Sequence, residues 1–533
     1  MKIQIYDTTL RDGEQGAGIH YTLEDKLHII QALDELGVDY IEAGNFDSPN
    51  HTRGHQVSRD RELFERIPSL HLQHARLAVF GSTRRPGTEA AADEVLAYIA
   101  ACAAGTVTIV GKSWLYQVEN ILKTSPEENL AMIGDTIRFL RSAGKEVIFD
   151  AEHFFDGYSD NPSYALSVVE TAVGAGAAAV ALCDTNGGMM PDVVGMVTSA
   201  VCRRFPGICT AIHCHNDIGM AAAATASAVL NGASQIQGSI SGIGERCGNA
   251  NLNTLIPLLQ IKLGYQCIPE DRLKKLTACA RYVNEIANRQ FDENEPFVGG
   301  YAFTHKGGMH IDGVKKAPRS FEHIDPAWVG NERNFLISAL SGRTAIRDKA
   351  ALLRPGIDRD APEVEALLDK VRDYESRGFQ YENSEASLML IILEAFGMRR
   401  SFYTLENYQI TINESLSGGI CTALVKISVD GSVEITAAEG NGPVSALDLA
   451  LRKALSRFYP EIESLRLTDY KVRVLNSSEA TASKVRVFVE TSDGKRVWRT
   501  IGVSPDIVDA SRQALADAID YKLSGMAEAY PSV

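Results

Sequence analysis

The sequence predicts an α/β protein: a closed parallel (β/α)8 barrel of the TIM type, then helical linker subdomains, then a C-terminal α+β domain with an internal repeat. Three observations predict it. Short apolar strands and amphipathic helices alternate eight times over roughly the first 265 residues. The charged and polar residues of that region collect where a strand ends and the loop toward the next helix begins. Near the C-terminus, a hairpin followed by a helix occurs twice, with Asp430-Gly431 and Asp493-Gly494 set 63 residues apart.

Candidate strands begin near Ile3, Val38, Leu77, Thr106, Glu146, Ala179, Ala211 and Gln235. Between the first two, Leu23 to Leu36 spaces Leu27, Ile30 and Leu33 for one buried helical face. An open doubly wound sheet is the alternative, but its glycine-rich dinucleotide turn is missing after the first strand. A barrel demands that its chemistry lie at the C-terminal strand ends. Strand one ends in Asp7-Thr8-Thr9-Leu10-Arg11-Asp12-Gly13, strand two in Glu42-Ala43-Gly44, and strand four in Gly111-Lys112-Ser113. Strand five carries Asp150-Ala151-Glu152-His153 and strand six Cys183-Asp184-Thr185-Asn186-Gly187. Strand seven carries His213-Cys214-His215-Asn216-Asp217, and strand eight runs into Gly242-Ile243-Gly244-Glu245-Arg246-Cys247-Gly248-Asn249. Unpaired buried charge is costly, so one shared polar pocket accounts for this rim better than packing does.

Residue chemistry suggests roles within that pocket. His213 and His215 alternate with Cys214, so both imidazoles share one strand face, as a chelating pair for a divalent metal requires. The bland alternative is two hydrogen-bonded core histidines. Asp12 could complete a His-His-Asp set that leaves positions open for substrate, or it could cap the turn through Gly13. Arg11 suits a carboxylate or a carbonyl oxygen, or else a structural pair with Glu14 or Glu42. Glu152 could act as a general base, or pair with Lys112 or Arg246. Thr185 offers a hydroxyl to a substrate carboxylate, or is one more turn residue.

Composition narrows the partners. Of 533 residues, 45% are hydrophobic and 23% charged, an ordinary globular balance, and the net charge of −15 argues against nucleic acid or an anionic membrane surface. No apolar run is long enough to span a bilayer, and Met1-Lys2-Ile3-Gln4 does not read as a signal peptide. Nine scattered cysteines fit reduced thiols, so a cytoplasmic location is expected.

Three segments together carry a family resemblance. Asp7-Thr8-Thr9-Leu10-Arg11-Asp12-Gly13-Glu14-Gln15, His213-x-His215-Asn216-Asp217 and Gly244-Glu245-Arg246-x-Gly248-Asn249-Ala250-Asn251-Leu252 resemble the isopropylmalate, homocitrate and citramalate synthase superfamily. Ile148 to Gly157, Phe321-Glu322-His323-Ile324-Asp325-Pro326, Val329-Gly330-Asn331-Glu332-Arg333 and Ser341-Gly342-Arg343 look most like the long-form citramalate synthases within it. The resemblance implies an acyltransferase that condenses acetyl-CoA with a 2-oxo acid, here pyruvate, and hydrolyses the thioester on a route to isoleucine. It implies a divalent metal (Mg, Mn or Zn) on Asp12, His213 and His215, with Asn249 near enough to be a fourth ligand. Arg11 would polarise the keto group, Thr185 would hold the carboxylate, and Glu152 would take a methyl proton from acetyl-CoA. His310, in Gly307-Gly308-Met309-His310, would reach a neighbouring subunit's active site.

Two departures bear on the substrate. Phe321 stands where many relatives have tyrosine, and Trp114-Leu115-Tyr116-Gln117 follows Ser113 where a histidine is common. Trp114 could shrink the pocket toward pyruvate's methyl, or belong to the core.

The expected domains are 1–265 (catalytic barrel), 266–395 (helical linker subdomains serving a partner's active site) and 396–533 (an allosteric and dimerisation domain). In the last, the resemblance implies a homodimer with isoleucine as effector, against a domain used only to dimerise. The rival functions are an isopropylmalate or homocitrate synthase, a metal-dependent acyl-CoA lyase, or an inactive metabolite-sensing barrel.

Overall fold

The computed structural model describes residues 1–46, 59–336, 342–358, 360–413, 420–475 and 483–529. Ser341 of the Ser341-Gly342-Arg343 segment lies outside them. The chain divides into two units: 1–303 with 324–333, and 304–323 with 334–533.

In the first unit eight parallel strands close a barrel in sequence order. They are β1 (Gln4–Asp7), β2 (Tyr40–Asn45), β3 (Arg76–Ser82), β4 (Thr106–Lys112), β5 (Glu146–Glu152), β6 (Ala179–Asp184), β7 (Cys209–Cys214) and β8 (Gln235–Gly238). The alternation of strand side chains divides two apolar layers. Val147, Phe149, Ala151, Val180, Leu182, Ile212, Cys214 and Ile236 face the surrounding helices. Tyr6, Tyr40, Ala78, Ile148 and Ala179 fill the barrel's interior, with Ala181, Cys183 and Ala211 above them. Burial of Cys214 on the helix side is what turns His213 inward.

Local signals set the helix ends. Helix Leu23–Leu36 opens on a reciprocal capping box between Thr22 and Asp25. It stops at Gly37, whose φ of 92° is a left-handed conformation that side chains resist. Parallel register then sets mouth residues side by side: Lys112 with Glu152, Cys183 with His213, and His213 with Gln237.

The second unit begins with a two-stranded parallel pair, β9 (Thr304–His305) and β10 (Asn334–Phe335), and helix Gly308–Lys316. Helices Gly342–Leu353, Pro362–Ser376 and Glu385–Ala395 follow. The repeat is real and has more in it than two hairpins. A sheet of β11 (Thr404–Asn413), β12 (Ile420–Val429) and β13 (Ser432–Gly440) precedes helix Pro443–Leu455. A second sheet of β14 (Arg466–Val474), β15 (Val485–Ser492) and β16 (Val497–Ser504) precedes helix Ile507–Leu523. Asp430-Gly431 turns between β12 and β13, where Val429 pairs with Ser432 and both turn residues have positive φ. No described helix is long and apolar enough to cross a membrane.

Candidate active site

Three ligand-bearing side chains meet at the C-terminal mouth of the barrel. The turn after β1 is drawn tight by the amides of Arg11 and Gly13, which both donate to Thr8 O. That turn brings Asp12 beneath His213 and His215. Asp12 Oδ2 lies 3.7 Å from His213 Nε2 and 3.8 Å from His215 Nε2, and the two Nε2 atoms are 3.3 Å apart. Exposure is 3% for Asp12, 5% for His213 and 6% for His215. Asp12 makes no side-chain capping bond to the turn, so the alternative role weighed for it is not fulfilled.

The electrostatics distinguish this from a set of ion pairs. Burial, aided by the neighbouring His215, pushes His213 down to about 3, and burial lowers His215 as well. Both rings are therefore neutral near pH 7. Burial opposes ionisation of Asp12, yet the neighbouring Arg11 guanidinium brings its carboxyl down to about 2. One carboxylate facing two lone-pair nitrogens is the donor set of a divalent cation. Three buried atoms here have no hydrogen-bond partner among the described residues: Asp12 Oδ1, His215 Nδ1 and Asn249 Oδ1. Such orphans cost about 1–3 kcal/mol each unless a ligand satisfies them. Asn249 comes from the loop after β8, opposite His215 in an isolated antiparallel bridge. The residues fit a metal.

Arg11 lies beside the cluster. Its Nε donates to Glu42 Oε2 at 2.5 Å, its Nη1 is 3.4 Å from Asp12 Oδ2, and its guanidinium covers the Phe80 ring at 3.9 Å. The structural pair with Glu42 therefore exists, and it holds the guanidinium in place without using all five donors. Glu42 in turn accepts from Tyr6 Oη at 2.8 Å, and Tyr6 also meets Thr108 Oγ1 at 2.6 Å. Deeper still, Asp150 is buried and bonded to Gln237, and burial, with Glu42 nearby, raises its carboxyl to about 7.

Glu152 sits higher, partly exposed at the end of β5, and pairs with Lys112 as one alternative expected. The residue after it, His153, has φ 56°, a conformation worth roughly 1–3 kcal/mol of strain outside glycine. Thr185 Oγ1 accepts from His153 N at 2.9 Å, and Asp156 Oδ2 lies 3.2 Å from His153 Nδ1. Thr185 thus ties β6 to β5 and keeps its own hydroxyl hydrogen for another acceptor. Trp114 packs on Tyr116 and His153, with centroids at 4.9 and 5.6 Å, and its indole N–H donates to Asp160. It belongs to a wall beside β5 and not to the core. Arg246 pairs with Asp217 at 2.8 Å and not with Glu152. His310 lies in the second unit on helix Gly308–Lys316, stacked on Phe321 at 4.3 Å between ring centroids.

Gln237, Tyr6 and the strained His153 were not singled out from the sequence. Gln237 carried a legible signal, since Gln235-Ile236-Gln237 places two amides on one face of a buried strand. The strain at His153 carried none, because no glycine marks it.

Closed barrel, ligand cluster and following domains together define a class: metal-dependent barrel enzymes with an HMGL-like catalytic domain, whose family model matches residues 2–283. The "Homocitrate synthase post-HMGL domain-like" model matches residues 297–378, and the "LeuA allosteric (dimerisation) domain" model matches residues 382–523. The chain is 46% identical over 525 residues to an (R)-citramalate synthase of Aquifex aeolicus, covering 98% of each. It is 45% identical to that of Synechocystis sp. (97% of this chain, 96% of the relative) and 42% to that of Geobacter sulfurreducens (98% and 97%). The chain belongs to the (R)-citramalate synthase family.

Proposed function

We propose that this chain condenses acetyl-CoA with pyruvate to give (R)-citramalate and free CoA. The observation that carries this is the buried Asp12, His213 and His215 cluster with its unpartnered atoms, set beside Arg11 at the barrel mouth of a chain with full-length relatives of that name. Asp12, His213 and His215 would hold the metal, with Asn249 as a further oxygen donor. Bound there, a divalent ion (magnesium, manganese or zinc) supplies Lewis-acid polarisation of a 2-oxo acid.

The remaining work falls to side chains. Arg11 directs its free guanidinium hydrogens at the keto oxygen, where negative charge develops. Thr185 donates its hydroxyl hydrogen to the substrate carboxylate. Glu152 removes a methyl proton from acetyl-CoA, the methyl carbon bonds to the keto carbon, and the keto oxygen takes up a proton. Water then cleaves the thioester, leaving a carboxylate and the CoA thiol. His310 serves the thioester end in the active site of a partner protomer. Trp114 and its neighbours favour the small methyl of pyruvate.

The test is CoA release from acetyl-CoA with pyruvate, 2-oxoisovalerate and 2-oxoglutarate. Pyruvate should be preferred by about 10-fold or more in kcat/KM, the range that a few methylenes can decide. Chelator should abolish the rate and added metal restore it. A faster rate with 2-oxoisovalerate would reassign the substrate.

The C-terminal repeat is proposed to dimerise the chain and to bind isoleucine. Leu424, Val433 and Ile435 are exposed apolar residues on the first three-stranded sheet, whose opposite face packs Ala423, Val425 and Ile427 into a core. Isoleucine should inhibit the full chain, and removal of the residues after Arg400 should abolish that inhibition. Equal inhibition of both forms would place the effector elsewhere.

A further inference from the structure

Gln237 is buried next to His213, as its register partner on β8. The two ends of its amide do different work. Nε2 donates to Asp150 Oδ1 at 3.0 Å, while Oε1 stands 3.0 Å from His213 Nδ1. A carboxyl group accepts a hydrogen bond through one oxygen whether or not it is protonated, so Asp150 can hold Nε2 in either state. Turned round, the amide would set its oxygen against the Asp150 carboxylate, an arrangement that only a protonated Asp150 satisfies. With Nε2 engaged, only a carbonyl oxygen remains for the imidazole, and an oxygen needs a hydrogen from its partner. His213 Nδ1 then carries the ring hydrogen, and Nε2 keeps a bare lone pair toward Asp12 and His215.

The neighbouring ring differs. His215 Nδ1 is buried with no partner among the described residues, so no hydrogen bond on that nitrogen presets its tautomer. Among the described residues, the Gln237 amide is the partner on the Nδ1 side of the imidazole pair.

We propose that Gln237, anchored by Asp150, is a positioning residue that fixes the Nδ1–H tautomer of His213 and so holds its Nε2 as a metal ligand. This rests on the metal site proposed above.

The test is manganese binding to the metal-stripped full chain, read by electron paramagnetic resonance of the free ion. Gln237→Leu keeps the bulk and removes the acceptor, and should weaken binding by about 10–100-fold. Gln237→Glu combined with Asp150→Asn exchanges donor and acceptor at the anchor, leaves an oxygen for His213, and should recover most of that loss. Nitrogen–proton correlation spectra of the metal-free wild type should show an Nδ1–H signal that vanishes in His213→Ala. An Nε2–H signal instead, or wild-type affinity in folded Gln237→Leu, overturns the proposal, and the wild-type spectrum decides even if that variant does not fold. Equal manganese binding by wild type and His213→Ala would overturn the metal site itself.

Discussion

Replacing Asp12 with alanine is expected to lower kcat/KM by on the order of 10³-fold or more, because Lewis-acid stabilisation is worth several kcal/mol and each 1.4 is tenfold. Asp12 is the one anion of the donor set, and without it two neutral imidazoles remain to hold a doubly charged ion. The fold should survive, since the carboxylate makes no capping bond to its turn. Asp12→Asn keeps the shape and should lose most of the same rate, which separates charge from volume. Metal content by atomic emission, measured beside the rate, checks the cause. Full metal content with full activity in Asp12→Ala would remove the cluster from the mechanism.

Glu152→Gln is expected to reduce kcat by about 10²–10⁴-fold, the range that a positioned general base contributes. The KM for pyruvate should move far less, because the proton comes from the other substrate. Lys112 provides the control, since it pairs with Glu152 at the rim. Were that ion pair the purpose of Glu152, Lys112→Met and Glu152→Gln would cost the same. A partly exposed pair contributes little to stability, so Lys112→Met should have the milder effect by a wide margin. Equal losses would return Glu152 to a structural role.

Much of the barrel could be read directly. Strand periodicity located all eight strands to within about two residues, because each turns apolar side chains toward the surrounding helices. His213 and His215 were legible for the same reason, their shared face following from Cys214 between them. The outer strands of the C-terminal repeat were missed although a local signal exists. β14 alternates apolar and polar residues over Tyr470-Lys471-Val472-Arg473-Val474, yet it is largely exposed along its length. β11 alternates likewise over Tyr408-Gln409-Ile410-Thr411-Ile412-Asn413, and the sequence places no Asp-Gly turn like Asp430-Gly431 between either strand and its partner.

The sequence by itself determined the barrel, the chemistry at its mouth and the doubled C-terminal domain, since each is written in local periodicity or contiguous motifs. Tertiary structure alone decided which alternatives were realised. Arg11 does pair with Glu42, Glu152 does pair with Lys112, and Asp12 leaves its turn uncapped to face the imidazoles. It also decided that Gln237 would join Asp150 to His213. These pairings unite residues from separate strands, and the register between neighbouring strands and loops of the closed sheet, which no local pattern encodes, is what brings them within hydrogen-bonding distance.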